Sequence, residues 1–146
     1  MTDRSTPLGP SGLTRDAGFE IGVSRTIDLP IARVRAYLTS EQGVRRWLGE
    51  GLKLPASPGD LYATADGTTG EVRSFHPENR IRLTWQPAGW DHPTTLQVAV
   101  GDRGGRTLLR FHSERLANSA ERSAQRAHWE GVMGDVLDDL RAAIGT

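Results

Sequence analysis

The chain has no cysteine, and Lys53 is the only lysine among its 18 basic residues. Without cysteine there are no disulfides, no thiolate metal sites and no cysteine nucleophile. The formal net charge is zero, which removes any general attraction to nucleic acid or to an anionic lipid surface. No apolar run approaches the roughly 20 residues that span a bilayer, so membrane insertion is not expected. The opening MTDRSTPLGPSGLTRDAG lacks the apolar centre of a signal peptide. A soluble domain in the cytoplasm is the expectation these absences leave. GxSxG, a Gly-rich phosphate loop and HExxH are missing as well.

What is present is a chain of 146 residues, long enough for one domain with a substantial core. The Pro-, Gly- and Ser-rich residues 1–18 read as a flexible arm, and 19–146 as the domain. In FEIGVSRTI, Phe19, Ile21, Val23 and Ile27 share one parity, as on a strand with one buried face. Arg25 has that parity too. Two short helices follow: LPIARVRAYLTS, with Pro30 in its first turn, and SEQGVRRWLG, with Ser40 as N-cap and Gly49 or Gly51 as its stop. Strand signals then run in series through GDLYATAD, TTGEVRSF, RIRLTWQ, TTLQVAVGD and RTLLRFHS. PAGWDHP is a loop expected to expose Trp90. A long helix begins near Ser119 to Ser123 and runs to about Ile144.

On a helical wheel Trp129, Val132, Met133, Val136, Leu140 and Ile144 share one arc. Gly131, Gly134 and Asp138 lie opposite. The two glycines either face solvent at a cost in helix propensity or admit a second chain or a loop against bare backbone. Asp135, Asp138 and Asp139 read as a solvated face.

The histidines form no metal-ligand cluster. His76, His112 and His128 each precede a glutamate by two residues, but the deaminase-type H-x-E pattern needs a PCxxC that this chain lacks. No metal and no cofactor is expected. His112 and His128 read as hydrogen-bonding residues. An acid–base pair built from Glu71, Arg73 or His112 would require their faces to turn inward.

The ordered set SRTIDLP, EQGVRRWLGEG, PGDLYATADGTTGEV, RIRLTWQP, GGRTLLRFHSERL and RAHWEGVMGDVLDDL resembles the START-like (SRPBCC) superfamily. More narrowly it resembles the branch of heat-shock-protein-90 ATPase activator homologues. The resemblance spans Phe19 to Ile144. It implies an α+β helix-grip fold: a curved antiparallel β-sheet of about six strands wrapped around a long C-terminal helix, with two short helices after the first strand. It also implies a cavity between sheet and helix for lipids, sterols, polyketides or aromatic molecules.

The expected lining is Trp47, Leu48, Val72, Ile81, Leu83, Trp85, Phe111, Trp129, Val132, Met133 and Val136. The residues alone fit a solid core equally well. Arg25 is an anchor for a carboxylate or phenolate head group, or sits at a bulge, or is a strand-end arginine that snorkels outward or pairs with a nearby acid. The leading expectation is a non-catalytic binding protein for a small hydrophobic molecule. A chaperone co-factor, with Trp90 and the glycine face as its docking patch, and a cyclase- or hydrolase-like enzyme are the alternatives. A homodimer is a further partner reading.

Overall fold

The computed structural model describes residues 13–14 and 18–144. Ten elements follow in order: β1 (Leu13–Thr14), β2 (Gly18–Ile27), α1 (Ile31–Thr39), α2 (Glu41–Trp47), β3 (Leu61–Ala63), β4 (Thr69–His76), β5 (Arg80–Trp85), β6 (Thr94–Arg103), β7 (Arg106–Leu116) and α3 (Ser119–Ile144). Leu13 and Thr14, which the sequence assigns to the arm, pair with Phe19 and Gly18. The rest of that arm, and the Ile144 side chain, lie outside the described residues.

All strands join one antiparallel sheet in the order β1-β2-β7-β6-β5-β4-β3. The meander from β3 to β7 carries the chain across the sheet. The α1–α2 pair makes the crossing from β2 to the opposite edge. Register shifts between Phe19 and Ile21 and between Val72 and Ser74 interrupt the ladders. Such bulges increase twist and bend a sheet, here around α3.

Local chemistry sets the two short helices. Pro30 is the N-cap of α1, one position before the expected first turn. Ser40 closes α1 and opens α2: its hydroxyl donates to the Tyr37 carbonyl at 2.6 Å and accepts the Gly43 N–H at 3.1 Å. Gly43 is required at this corner, because a Cβ there would sit 1.8 Å from the Tyr37 carbonyl oxygen.

Strand alternation decides the core. Ile81, Leu83 and Trp85 of β5, Leu96, Val98 and Val100 of β6, and Leu109 and Phe111 of β7 are buried on the concave face. Against them α3 packs Trp129, Val132, Met133, Val136 and Leu140. Burying such side chains contributes about 1.5–3 kcal/mol each.

Two expectations need correction. Trp90 is half-buried and packs on the core instead of standing in solvent. The reason is local: Gln86 Nε2 donates to the Trp90 carbonyl at 2.5 Å, and a Trp90 N–H to Pro87 carbonyl bond of 3.1 Å folds the loop back. Asp139 is buried as well. It flanks the core arc of α3, and α1 and α2 cover that flank.

Candidate functional site

Ten of the expected lining residues (Trp47, Leu48, Val72, Leu83, Trp85, Phe111, Trp129, Val132, Met133 and Val136) are buried in the molecule. Ile81 is buried with them. At their centre Trp129 lies 5.1 Å from Phe111 and 5.6 Å from Trp85, centroid to centroid. The Trp129 indole N–H donates to buried Gln125 at 3.1 Å, and that of Trp47 to the Leu38 carbonyl at 2.8 Å. Two buried polar side-chain atoms among the described residues have no hydrogen-bond partner: Trp85 Nε1 and Ser113 Oγ. Leaving such a group unpaired costs about 1–3 kcal/mol. Ser113 follows Phe111 by two on β7 and so shares its concave side.

Around Trp85 the PAGWDHP loop forms the rim of the site. The Trp90 ring meets Trp85 edge-on at 6.5 Å, and the His92 ring lies 5.5 Å from Trp90. His92 Nε2 reaches Glu121 Oε1 at 3.0 Å, which ties this loop to the first turn of α3. The hydrogen bond to Glu121 raises the His92 pKa above its ordinary value. His128 behaves oppositely. Its ring packs 5.5 Å from Trp85 and 4.7 Å from Trp129, and although part of it meets solvent, loss of hydration holds its pKa below the ordinary value. The His128 side chain makes no hydrogen bond among the described residues, where the sequence reading expected one.

Arg25 is not brought together with the others. It occupies the concave parity of β2 between buried Val23 and Ile27, yet its own side chain is exposed. There it borders a surface cleft of about 380 Å³ with Ile27, Leu29, Leu137, Leu140, Arg106 and Arg141.

The acid–base candidates do not converge. His112 alternates with buried Phe111 and Ser113, so it faces the convex side, while Arg73 and Glu71 form a partly exposed pair at 3.9 Å. Sequence reading missed how much polar structure His112 organises. Its Nε2 meets Glu20 Oε1 at 2.5 Å and its Nδ1 lies 3.9 Å from Glu114 Oε2. Arg82 Nη2 donates to Glu114 at 2.7 Å and Nη1 to Gln97 at 3.2 Å. Glu20, His112 and Glu114 offer ligand atoms within 4.8 Å of one another. The two carboxylates, however, approach opposite nitrogens of the imidazole, and Arg82 already neutralises Glu114. That is a hydrogen-bonded network and a poor metal cage, which needs three or four converging donors.

Asp139 is the other group that the sequence hid. Tyr37 donates to its Oδ2 at 2.5 Å, and Arg46 donates through Nε and Nη2 at 2.8 and 3.1 Å. The Arg46 hydrogen bond holds the carboxyl below the usual range, while burial, reinforced by Asp139, pushes the Tyr37 phenol far up. This triad fastens both short helices to α3.

A bent antiparallel sheet closed around one long helix, with two helices in the first crossover, defines an α+β helix-grip domain. Residues 28–145 match the family described as activator of Hsp90 ATPase homolog 1-like protein, and the chain belongs to that family. Among proteins with curated descriptions, none matches the sequence. Solved structures share the fold. DynU16, from the dynemicin biosynthetic locus, has TM-score 0.72 and 19% identity over 85% of this chain; the present chain spans about half of it, 48%. PFC0360w, an HSP90 activator from Plasmodium falciparum, gives TM-score 0.62 and 14% identity, with 86% of this chain and 96% of that one covered. The Aha1 dimer from Colwellia psychrerythraea gives 0.64 and 18%, with 83% and 95% covered. At such identities the likeness is one of fold. Among the described residues no helix is long and apolar enough to cross a membrane.

Proposed function

We propose that the domain binds a small, largely apolar molecule at the Trp85 end of the space between sheet and α3, without catalysing a reaction. The observation that carries this reading is the buried, unpartnered indole N–H of Trp85. A hydrophobic frame bearing one acceptor oxygen would satisfy that donor while its body met Phe111, Trp129 and Met133. Entry requires the half-buried Trp90 to leave its edge-on position. The ligand ring then takes its place, as in pockets that exist as minor conformations until occupied. Burial of apolar surface at about 25 cal/mol per Å² drives the exchange. DynU16's membership of a biosynthetic locus accords with a small-molecule ligand.

The test is a panel of fatty acids, sterols and aromatic polyketides in native mass spectrometry and thermal shift. At least one class binds one-to-one, and Trp85→Phe weakens it about tenfold, the value of one buried hydrogen bond. Failure of every class overturns the reading.

A second reading, stimulation of a chaperone ATPase, is favoured by the family and by PFC0360w. Addition of the protein to the chaperone raises ATP turnover if it holds. Unchanged turnover removes it.

A further inference from the structure

We propose that a second site, at the C-terminal end of α3, binds a small organic acid with an apolar body. Three guanidinium groups from three elements border one cleft, Arg25 on β2, Arg106 on β7 and Arg141 on α3, together with one carboxylate, Asp28. Its volume of about 380 Å³ falls in the range of small-molecule sites. Its floor is apolar, from Ile27, Leu29 and Leu140, with Leu137 beside them.

The cations are not used up by the protein. Arg25 makes one hydrogen bond, from Nη1 to the Ser24 carbonyl at 2.8 Å, and has no carboxylate partner among the described residues. Arg106 lies 3.8 Å from Asp28, whose side chain is 92% exposed. Arg141 lies 4.0 Å from Asp138, which is also exposed. Exposed pairs at such distances are weak and exchange readily with other anions. Arg141 also complements the carbonyl end of α3. Arg25 has no such duty, which makes it the primary anchor.

Each guanidinium presents a planar fork that matches a carboxylate through two parallel N–H donations. A carboxylate held between Arg25 and Arg141 leaves its hydrocarbon or aryl body over Leu137 and Leu140. A bare inorganic anion leaves that floor wet, and a neutral amphiphile leaves the guanidiniums unmatched. The ligand class is therefore an apolar monocarboxylate. The site shares no residue with the Trp85 end, and its proof or failure is independent of that reading.

The experiment is an NMR titration of the full chain with decanoate, decanol and acetate, observing arginine Nε–H, leucine methyl and indole N–H signals. Decanoate moves the Arg25 and Leu140 signals, and decanol and acetate bind at least about tenfold more weakly. Arg25→Gln lowers decanoate affinity about tenfold, as expected for loss of a charge-assisted hydrogen-bond pair, with the melting temperature unchanged. Equal binding of decanol or acetate, or an unaltered Arg25→Gln, overturns the proposal. Decanoate shifts confined to the Trp85 indole also overturn it, and support the interior reading instead.

Discussion

Along its N-terminal half α3 presses Trp129 between Phe111 and Trp85 with the ring wholly buried, whereas its last turns leave Leu137 and Arg141 bordering an open cleft with Arg25 and Arg106. The first region rests on β5 and β7, the second on β2 and the start of β7. On β2, Ile21, Val23 and Ile27 are buried and Arg25, at the same parity between them, is exposed. Alternation tells which face of a sheet a side chain joins. Whether that side chain is then covered depends on what packs over it, and this is a property of packing. One end of the grip is therefore aromatic and closed, with an orphan donor inside it. The other is cationic and open.

The largest effect separates the ends directly. Trp129→Ala costs about 3–5 kcal/mol, the usual price of removing a buried aromatic, while Arg25→Ala stays within about 0.5 kcal/mol. Urea unfolding of the two variants measures this, and similar midpoints would break the comparison.

Next comes the triad that fastens the helices. Asp139→Ala removes the acceptor of the Tyr37 hydroxyl and costs about 1–3 kcal/mol. The pH dependence has a defined sign. The folded carboxyl titrates below its unfolded value of about 3.9. Its contribution is thus present above that value and disappears as pH falls through the lower folded one. Asp139→Asn flattens this acid limb in urea melts; an unchanged limb would remove Asp139 from the account.

The outer face of α3 gives a gain. A Cβ at Gly131 or Gly134 would meet nothing within 4 Å. Alanine at either site stabilises by about 1 kcal/mol through helix propensity, read as a raised melting temperature. A loss of stability at unchanged fold would mean that another surface occupies this face.

The smallest effect is a pair of opposing titrations at the Trp85 end. His92 has a raised pKa, so its tie to Glu121 is fully present below about pH 6.5 and is lost as pH rises through the folded value. His128 has a lowered pKa, so its contribution is present above about pH 6.5 and is lost as pH falls through the folded value. Each is worth under about 1 kcal/mol. Melts of His92→Gln lose the alkaline decline and those of His128→Gln the acid one. The same slope in both variants contradicts the assignment.

Much of the fold was legible because its signals are local. Ile81, Leu83 and Trp85 alternate cleanly, Ser40 caps a helix where a hydroxyl is needed, and Trp129 shares an arc with Val132, Met133 and Val136. What stayed hidden depends on contacts between elements. A wheel drawn for α3 alone places Asp139 in solvent, because nothing on that helix says that α1 and α2 lie over its flank. The pairing of Glu20 with His112 needs the β2–β7 register, and Trp90 turns inward through contacts made only when its loop folds onto Trp85. Arg25 was correctly placed by parity, yet its cleft is assembled from three elements, β2, β7 and α3, that no local pattern brings together.

The central claim is that the closed end holds a donor awaiting a ligand. The direct measurement is the Trp85 indole N–H resonance during titration with an apolar aromatic ketone. The account predicts a progressive shift with slowed hydrogen exchange as the carbonyl accepts that proton, together with loss of the Trp90 ring contact. A Trp85 signal that stays fixed across the ligand panel, with Trp90 still packed against it, would contradict it.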